Sequence, residues 1–169
     1  MTLHPPTVVV LMGVSGAGKT TVGLAAAEIA GVTFLDADAL HPEANVAKMA
    51  AGTPLDDDDR APWLDAVAAA LVASAPCIMA CSALRAAYRD RLRRDAPHAR
   101  FALLDLDRPA LEARLSAREG HFMPAALLDS QLATLEPPAP AEGVLVLDAA
   151  RPIDELAAAV AALAAPRVD

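Results

Sequence analysis

The octapeptide Gly13-Val14-Ser15-Gly16-Ala17-Gly18-Lys19-Thr20 has the spacing G-x-x-x-x-G-K-[ST], which suits the gathering of several negative charges of a nucleotide triphosphate in one place. Glycines at 13, 16 and 18 keep Cβ atoms out of the turn, so consecutive backbone N–H groups can converge on phosphate oxygens. A helix expected to begin near Lys19 points its positive end at the same spot. Lys19 has the reach for the β- and γ-phosphates, and the Thr20 hydroxyl is placed to ligate the magnesium ion that bridges them.

A second set of polar residues lies downstream. Asp36-Ala37-Asp38 sets two carboxylates at spacing two, on one side of the chain if it stays extended, where they can hold magnesium through water and accept a proton from a substrate hydroxyl. His41, Asn45 and Lys48 follow at helical spacing and offer polar groups to a hydroxylated substrate. Asp56-Asp57-Asp58-Asp59 has the look of a metal cluster, but four adjacent carboxylates cannot all face one ion, and capping of a helix at Pro62-Trp63 explains much of the run. Arg60 is the usual kind of partner for a substrate carboxylate or phosphate.

Arg85, Arg89 and Arg93 share a helical face beside Tyr88; the first two are placed to reach a bound anion, while Arg93 is expected in solvent. Arg114 and Arg118, one turn apart, lead into Glu119-Gly120-His121-Phe122-Met123. There a lid carrying arginines would neutralise a migrating phosphoryl group and exclude water.

Such groups need a scaffold that brings separate loops to one edge. Apolar runs read as strands at residues 7–12, 33–36, 77–81, 100–106 and 144–148. Helical stretches fall at 20–30, 43–51, 62–74, 83–94, 109–118, 124–135 and 153–164. The alternation predicts an α/β fold, one doubly wound, five-stranded parallel sheet flanked by helices. Ligands of such sheets sit beyond the carboxyl ends of the strands. The glycine-rich loop and the segments 36–41, 82–85, 105–108 and 148–152 all fall there, and the proline-rich residues 137–141 read as an extended loop.

With 169 residues, 55% of them hydrophobic, the chain fills one core and is short for two domains. A formal charge of -8 argues against a nucleic-acid or anionic-membrane partner. The absence of a membrane-length apolar run or a leader pattern points to a cytoplasmic, soluble protein. Cys77 and Cys81 lie inside an apolar run and read as core thiols.

The longer matches resemble the bacterial gluconokinases, in the shikimate-kinase-like group of P-loop kinases. They include 34–42 (FLDADALHP), Asn45, Lys48-Met49, Pro54-Leu55, Asp57 to Arg60, Pro62-Trp63-Leu64, Cys81-Ser82-Ala83-Leu84 and Tyr88-Arg89-Asp90, and continue through Arg114-Leu115, Gly120-His121-Phe122, Ser130-Gln131 and Thr134-Leu135-Glu136. The resemblance implies a single P-loop kinase domain over 1–169 with a short helical lid at about 115–136. It implies ATP as donor with Mg2+, D-gluconate as the substrate phosphorylated at its 6-hydroxyl, and a homodimer.

In that frame Gly13 to Thr20, with Arg114 and Arg118, bind the nucleotide. Asp38 accepts or orients the hydroxyl proton, Asp36 joins Thr20 at the metal, and Lys19, Arg114 and Arg118 carry transition-state charge. Arg60 and Arg89 are candidates for the substrate carboxylate, and His41 and Asn45 for its hydroxyls. The resemblance has two departures, Arg85 where lysine is frequent and Cys81-Ser82 where many P-loop enzymes place a carboxylate. The competing expectations are another small-molecule kinase, such as one for shikimate, and a nucleotide-dependent switch. The chain lacks the N-K-x-D guanine motif that would favour a guanine-nucleotide switch.

Overall fold

A computed structural model describes residues 5–118 and 125–166. The strands are β1 (Val8–Met12), β2 (Thr33–Asp36), β3 (Cys77–Ala80), β4 (Arg100–Asp105) and β5 (Leu145–Asp148). The helices are α1 (Lys19–Ala30), α2 (Glu43–Ala50), α3 (Asp57–Ser74), α4 (Ala86–Asp95), α5 (Arg108–Ser116), α6 (Ala125–Thr134) and α7 (Ile153–Ala164). All strands pair in parallel, in the order β2-β3-β1-β4-β5.

Every residue of the central strand β1 is buried, and its side chains alternate between two cores. Val9 and Leu11 meet Ile78, Ala102 and Leu104 on the face covered by α1 and α7, where Val22, Leu156 and Val160 close the layer. Val8, Val10 and Met12 meet Met79, Phe101 and Leu103 on the other face, under Trp63, Val67 and Leu71 of α3 and Leu92 of α4. The strand order reverses at β1, so a crevice opens beyond its carboxyl end, and the glycine-rich loop occupies it.

The element boundaries differ from expectation in three instructive places. Helix α3 starts at Asp57 rather than at Pro62, because Asp56 and Asp59 form a reciprocal capping box: Asp59 N–H donates to Asp56 Oδ1 at 2.8 Å and Asp56 N–H to Asp59 Oδ2 at 3.1 Å. Pro62 is therefore inside the helix, and the carbonyl deprived of its N–H belongs to Asp58, on an exposed turn open to water. Helix α4 starts later than expected, since Ala83 turns the chain with φ 44° and Arg85 is the N-cap. Helix α5 ends at Ser116, which leaves Arg118 beyond its last turn.

Gly120-His121-Phe122 of the expected lid lies outside the described residues. The other part of that lid, α6, is anchored: Leu127 and Leu128 are buried, and Arg108 of α5 donates to Asp129 at 2.5 Å. Among the described residues no helix is long and apolar enough to cross a membrane.

Candidate active site

One cleft of about 710 Å³, within the range of small-ligand sites, runs from the glycine-rich loop across the carboxyl edge of the sheet. Its polar lining includes Ser15, Lys19, Thr20, Asp36, Asp38, His41, Arg60, Ser82, Arg118 and Gln131. Val46, Met49, Pro54 and Leu55 supply an apolar wall. Of the segments expected at this edge, the glycine-rich loop, 36–41 and 82–85 line the cleft, and 105–108 and 148–152 do not.

The donor half is built on the loop between β1 and α1. Gly16 adopts φ +89°, which strains any other residue, and a Cβ there would sit a tight 3.1 Å from Leu115 Cγ of α5. Lys19 is folded over the loop, its Nζ donating to the carbonyls of Gly13 (2.8 Å) and Val14 (3.1 Å). Burial pushes its pKa below the ordinary lysine value, opposed by the nearby charges of Asp38 and Asp36.

Thr20 Oγ1 donates to Asp36 Oδ2 at 3.3 Å, which brings the two expected metal ligands together. Arg118 lines the cleft, but Arg114 does not. The Arg114 guanidinium instead donates to the carbonyls of Ala17 (3.1 Å) and Ala149 (2.8 Å), tying the phosphate loop to the residue after β5. The expected lid arginine is thus a brace for the loop.

In the acceptor half, the chain does not stay extended after Asp36. Asp36 caps a short 3-10 turn (Ala37–Leu40), its Oδ1 accepting the Asp38 N–H at 3.0 Å, so both carboxylates reach the cleft through a cap rather than through strand alternation. His41 stacks on Trp63 with centroids 4.4 Å apart and planes 10° from parallel, and the Trp63 indole N–H holds the Ala37 carbonyl at 2.7 Å.

Asn45, expected at the substrate, is buried and absent from the cleft lining. Its Nδ2 donates to the Asp59 carbonyl (2.9 Å) and lies 3.3 Å from His41 Nδ1. An amide nitrogen only donates, so Nδ1 accepts and the ring proton sits on Nε2. Burial is the main cause holding the His41 pKa below its ordinary value, with Arg60 acting in the same direction and Asp38 against it. Asn45 therefore orients a neutral imidazole.

Lys48 is paired with Asp59 at 2.7 Å. Arg60 donates to the Tyr88 hydroxyl at 3.3 Å with its guanidinium 5.6 Å from that ring's centroid. Tyr88 in turn donates to Asp57, which also accepts from Arg85 at 3.1 Å. The aspartate run is thus divided between a helix cap and support for cations, and no group of three or more His, Cys, Asp and Glu among the described residues could cage a metal.

Arg89, the other candidate for the substrate carboxylate, is corrected by the structure. Its side chain has no exposure and its guanidinium is fully engaged: Nε and Nη2 reach Glu142 at 2.7 and 2.8 Å, and the remaining N–H groups meet the carbonyls of Ala83, Leu84 and Glu136. The anion it binds is internal. Arg93, expected in solvent, also reaches Glu142 (3.3 Å) and lies over Phe101.

These contacts, the Arg89 bonds foremost, hold the Glu142 pKa down at about 2 against an ordinary 4.5. A depressed carboxylate stabilises the fold fully above its unfolded pKa and loses that contribution as pH falls through the folded value. Thermal melts should therefore drop through the window from about 4.5 to about 2. Glu142→Ala, which strands a buried guanidinium, should cost about 3–5 kcal/mol, or roughly 6–20 °C in melting temperature. A variant melting within a few degrees of the parent, with an unchanged acid limb, would refute the brace.

The family described as an AAA domain matches residues 8–138. The gluconokinase of Gluconobacter oxydans (strain 621H) is 49% identical over 144 residues, covering 83% of this chain and 81% of the relative. The thermoresistant gluconokinase of Escherichia coli (strain K12) is 44% identical over 162 residues, 93% of each. The chain belongs to the gluconokinase family. The crystal structure of a gluconokinase from Sinorhizobium meliloti 1021 superposes on this gluconokinase-family fold with a TM-score of 0.86 at 44% identity, over 94% of this chain and 91% of that one.

Four residues of this gluconokinase-family site lacked a role from sequence: Trp63, Tyr88, Ser82 and Gln131. The partners of Trp63, Tyr88 and Gln131 are far away in sequence, as with Gln131 and Ser15, which are 116 residues apart. No local spacing marks such pairs. Ser82 is singled out by its place after the third strand, and all four fall within the longer family matches.

Proposed function

We propose that this chain transfers the γ-phosphoryl group of ATP to the 6-hydroxyl of D-gluconate, giving 6-phospho-D-gluconate. One observation carries the reading: a single cleft is lined by Lys19 and Thr20 of the phosphate loop, by Asp38 and by Arg60. A donor triphosphate, a hydroxyl and a carboxylate are thereby given separate partners in one cleft. Val46, Met49, Pro54 and Leu55 supply an apolar part of its lining.

Asp38 orients the acceptor hydroxyl and takes its proton as the bond to phosphorus forms. The transition state is loose, so orientation and charge count for more than basicity. Lys19 and Arg118 stabilise the charge on the transferred oxygens, and Lys19 must leave the Gly13 and Val14 carbonyls to do so. A triphosphate adds counter-charge to that which Asp38 and Asp36 already offer this amine. His41 presents Nε2–H to a substrate oxygen.

Thr20 and Asp36 would hold magnesium, and two hard oxygen donors fit an ion that keeps several waters and takes the rest of its shell from phosphate. Bound there, it would neutralise phosphate charge. The family resemblance extends the proposal to magnesium as the metal, a homodimer and a cytoplasmic location.

The test is a coupled ADP-release assay with gluconate, shikimate and several other aldonates. Turnover with gluconate well above all others is expected. Activity on shikimate alone would support the alternative kinase, and tight ATP binding with no phosphorylated product would support a switch. Arg60→Ala should raise KM for gluconate by about 10- to 100-fold, the worth of a charge-assisted hydrogen bond, with a smaller change in KM for ATP. An unchanged gluconate KM would move the carboxylate site elsewhere.

A further inference from the structure

We propose that Gln131 is a positioning residue for the phosphoryl donor, a neutral clamp through which α6 holds the phosphate loop in its receiving shape. The Ser15 N–H donates to Gln131 Oε1 at 2.8 Å, and Gln131 Nε2 donates back to Ser15 Oγ at 3.2 Å. Both side chains line the cleft. Between the ends of the loop only one backbone bond closes on itself, Ala17 N–H to the Val14 carbonyl at 3.2 Å, so Ser15 depends on this distant partner. With the Ser15 N–H given to Gln131 and the Ala17 N–H to Val14, the Gly16 and Gly18 N–H groups are the ones left to turn on phosphate.

The chemistry of the clamp carries a second clue. A glutamate at this position would satisfy the same N–H with a stronger, charge-assisted bond and could accept from the Ser15 hydroxyl. The chain has the uncharged amide instead, which is the choice that leaves room beside it for an anion.

Helix α6 also extends the clamp to the acceptor side. Two residues after its end, the Glu136 N–H donates to the Leu84 carbonyl at 2.8 Å, and Glu136 Oε2 accepts the Ala86 N–H at 2.9 Å. Leu84 lines the cleft in the β3–α4 corner, next to Ser82. One strut therefore touches both the loop that receives phosphate and the corner beneath the acceptor, and it fixes the distance between them.

The inference rests on the phosphoryl-transfer reading for its effect on turnover, but its binding arm does not. ADP affinity, measured by titration calorimetry without acceptor, should fall about fivefold or more in Gln131→Met, and kcat should fall about tenfold. KM for gluconate should stay within about twofold, and the melting temperature within about 2 °C. Gln131→Glu keeps the clamp but adds charge, so it should melt no lower than the parent and yet bind ADP more weakly than Gln131→Met, with the deficit shrinking in high salt.

The proposal is overturned if Gln131→Met binds ADP and turns over within twofold of the parent. It is overturned equally if both KM values rise as the melting temperature falls, or if Gln131→Glu binds ADP as tightly as the parent. Should the parent fail to phosphorylate gluconate while the ADP shifts persist, the function is wrong and the clamp stands.

Discussion

Asp38→Asn should lower kcat by about 10²- to 10⁴-fold, the usual span for losing a positioned proton acceptor, while KM for ATP stays within a few-fold. The asparagine keeps the size of the side chain and its place in the turn that Asp36 caps, so the backbone geometry survives. What is lost is the anion facing the hydroxyl. A mainly organising role for Asp38 would give the low end of that range, because a loose transition state asks little of a base. The measurement is steady-state turnover with ATP and gluconate varied separately. Near-parental kcat would remove Asp38 from the chemistry.

Lys19→Ala should reduce transfer by about 10³-fold or more, consistent with removing a principal charge from the oxygens being transferred. Two effects combine here. The variant loses the cation that follows the γ-phosphate, and it loses the tie from that side chain to Gly13 and Val14 across the loop. Lys19→Arg separates them only in part, since a planar guanidinium is larger than the ammonium it replaces in a part-buried place. The deciding readout is single-turnover transfer at saturating ATP. If the Lys19→Ala rate recovers to near the parental value once ATP is saturating, the lysine serves binding and not the chemical step.

The sheet was legible because each strand is a short apolar run between helical stretches, and the edge where ligands gather follows from parallel topology alone. The phosphate loop was legible because its function demands fixed residue types at fixed spacing. Individual arginines were not. Arg60, Arg89 and Arg114 look alike in sequence, yet one faces the cleft, one is sealed against Glu142 and one ties Ala17 to Ala149. Only tertiary partners separate those fates, and Glu142 and Ala149 lie many residues away.

The same holds for Asn45. Helical spacing placed it near His41 but could not say that its amide would be spent on Asp59 and on fixing the imidazole's tautomer. The start of α3 was missed for a local reason: Pro62 was read as a beginning, although the reciprocal bonds of Asp56 and Asp59 start the helix earlier.

The stacking of His41 on Trp63 has a practical consequence. The chain contains one tryptophan, and it lies in the acceptor half of the cleft against the imidazole that would meet the substrate. Its near-ultraviolet emission is therefore an undiluted optical signal from that half alone. Occupancy of the acceptor site can be followed in the unlabelled protein, with no indole elsewhere to mask it.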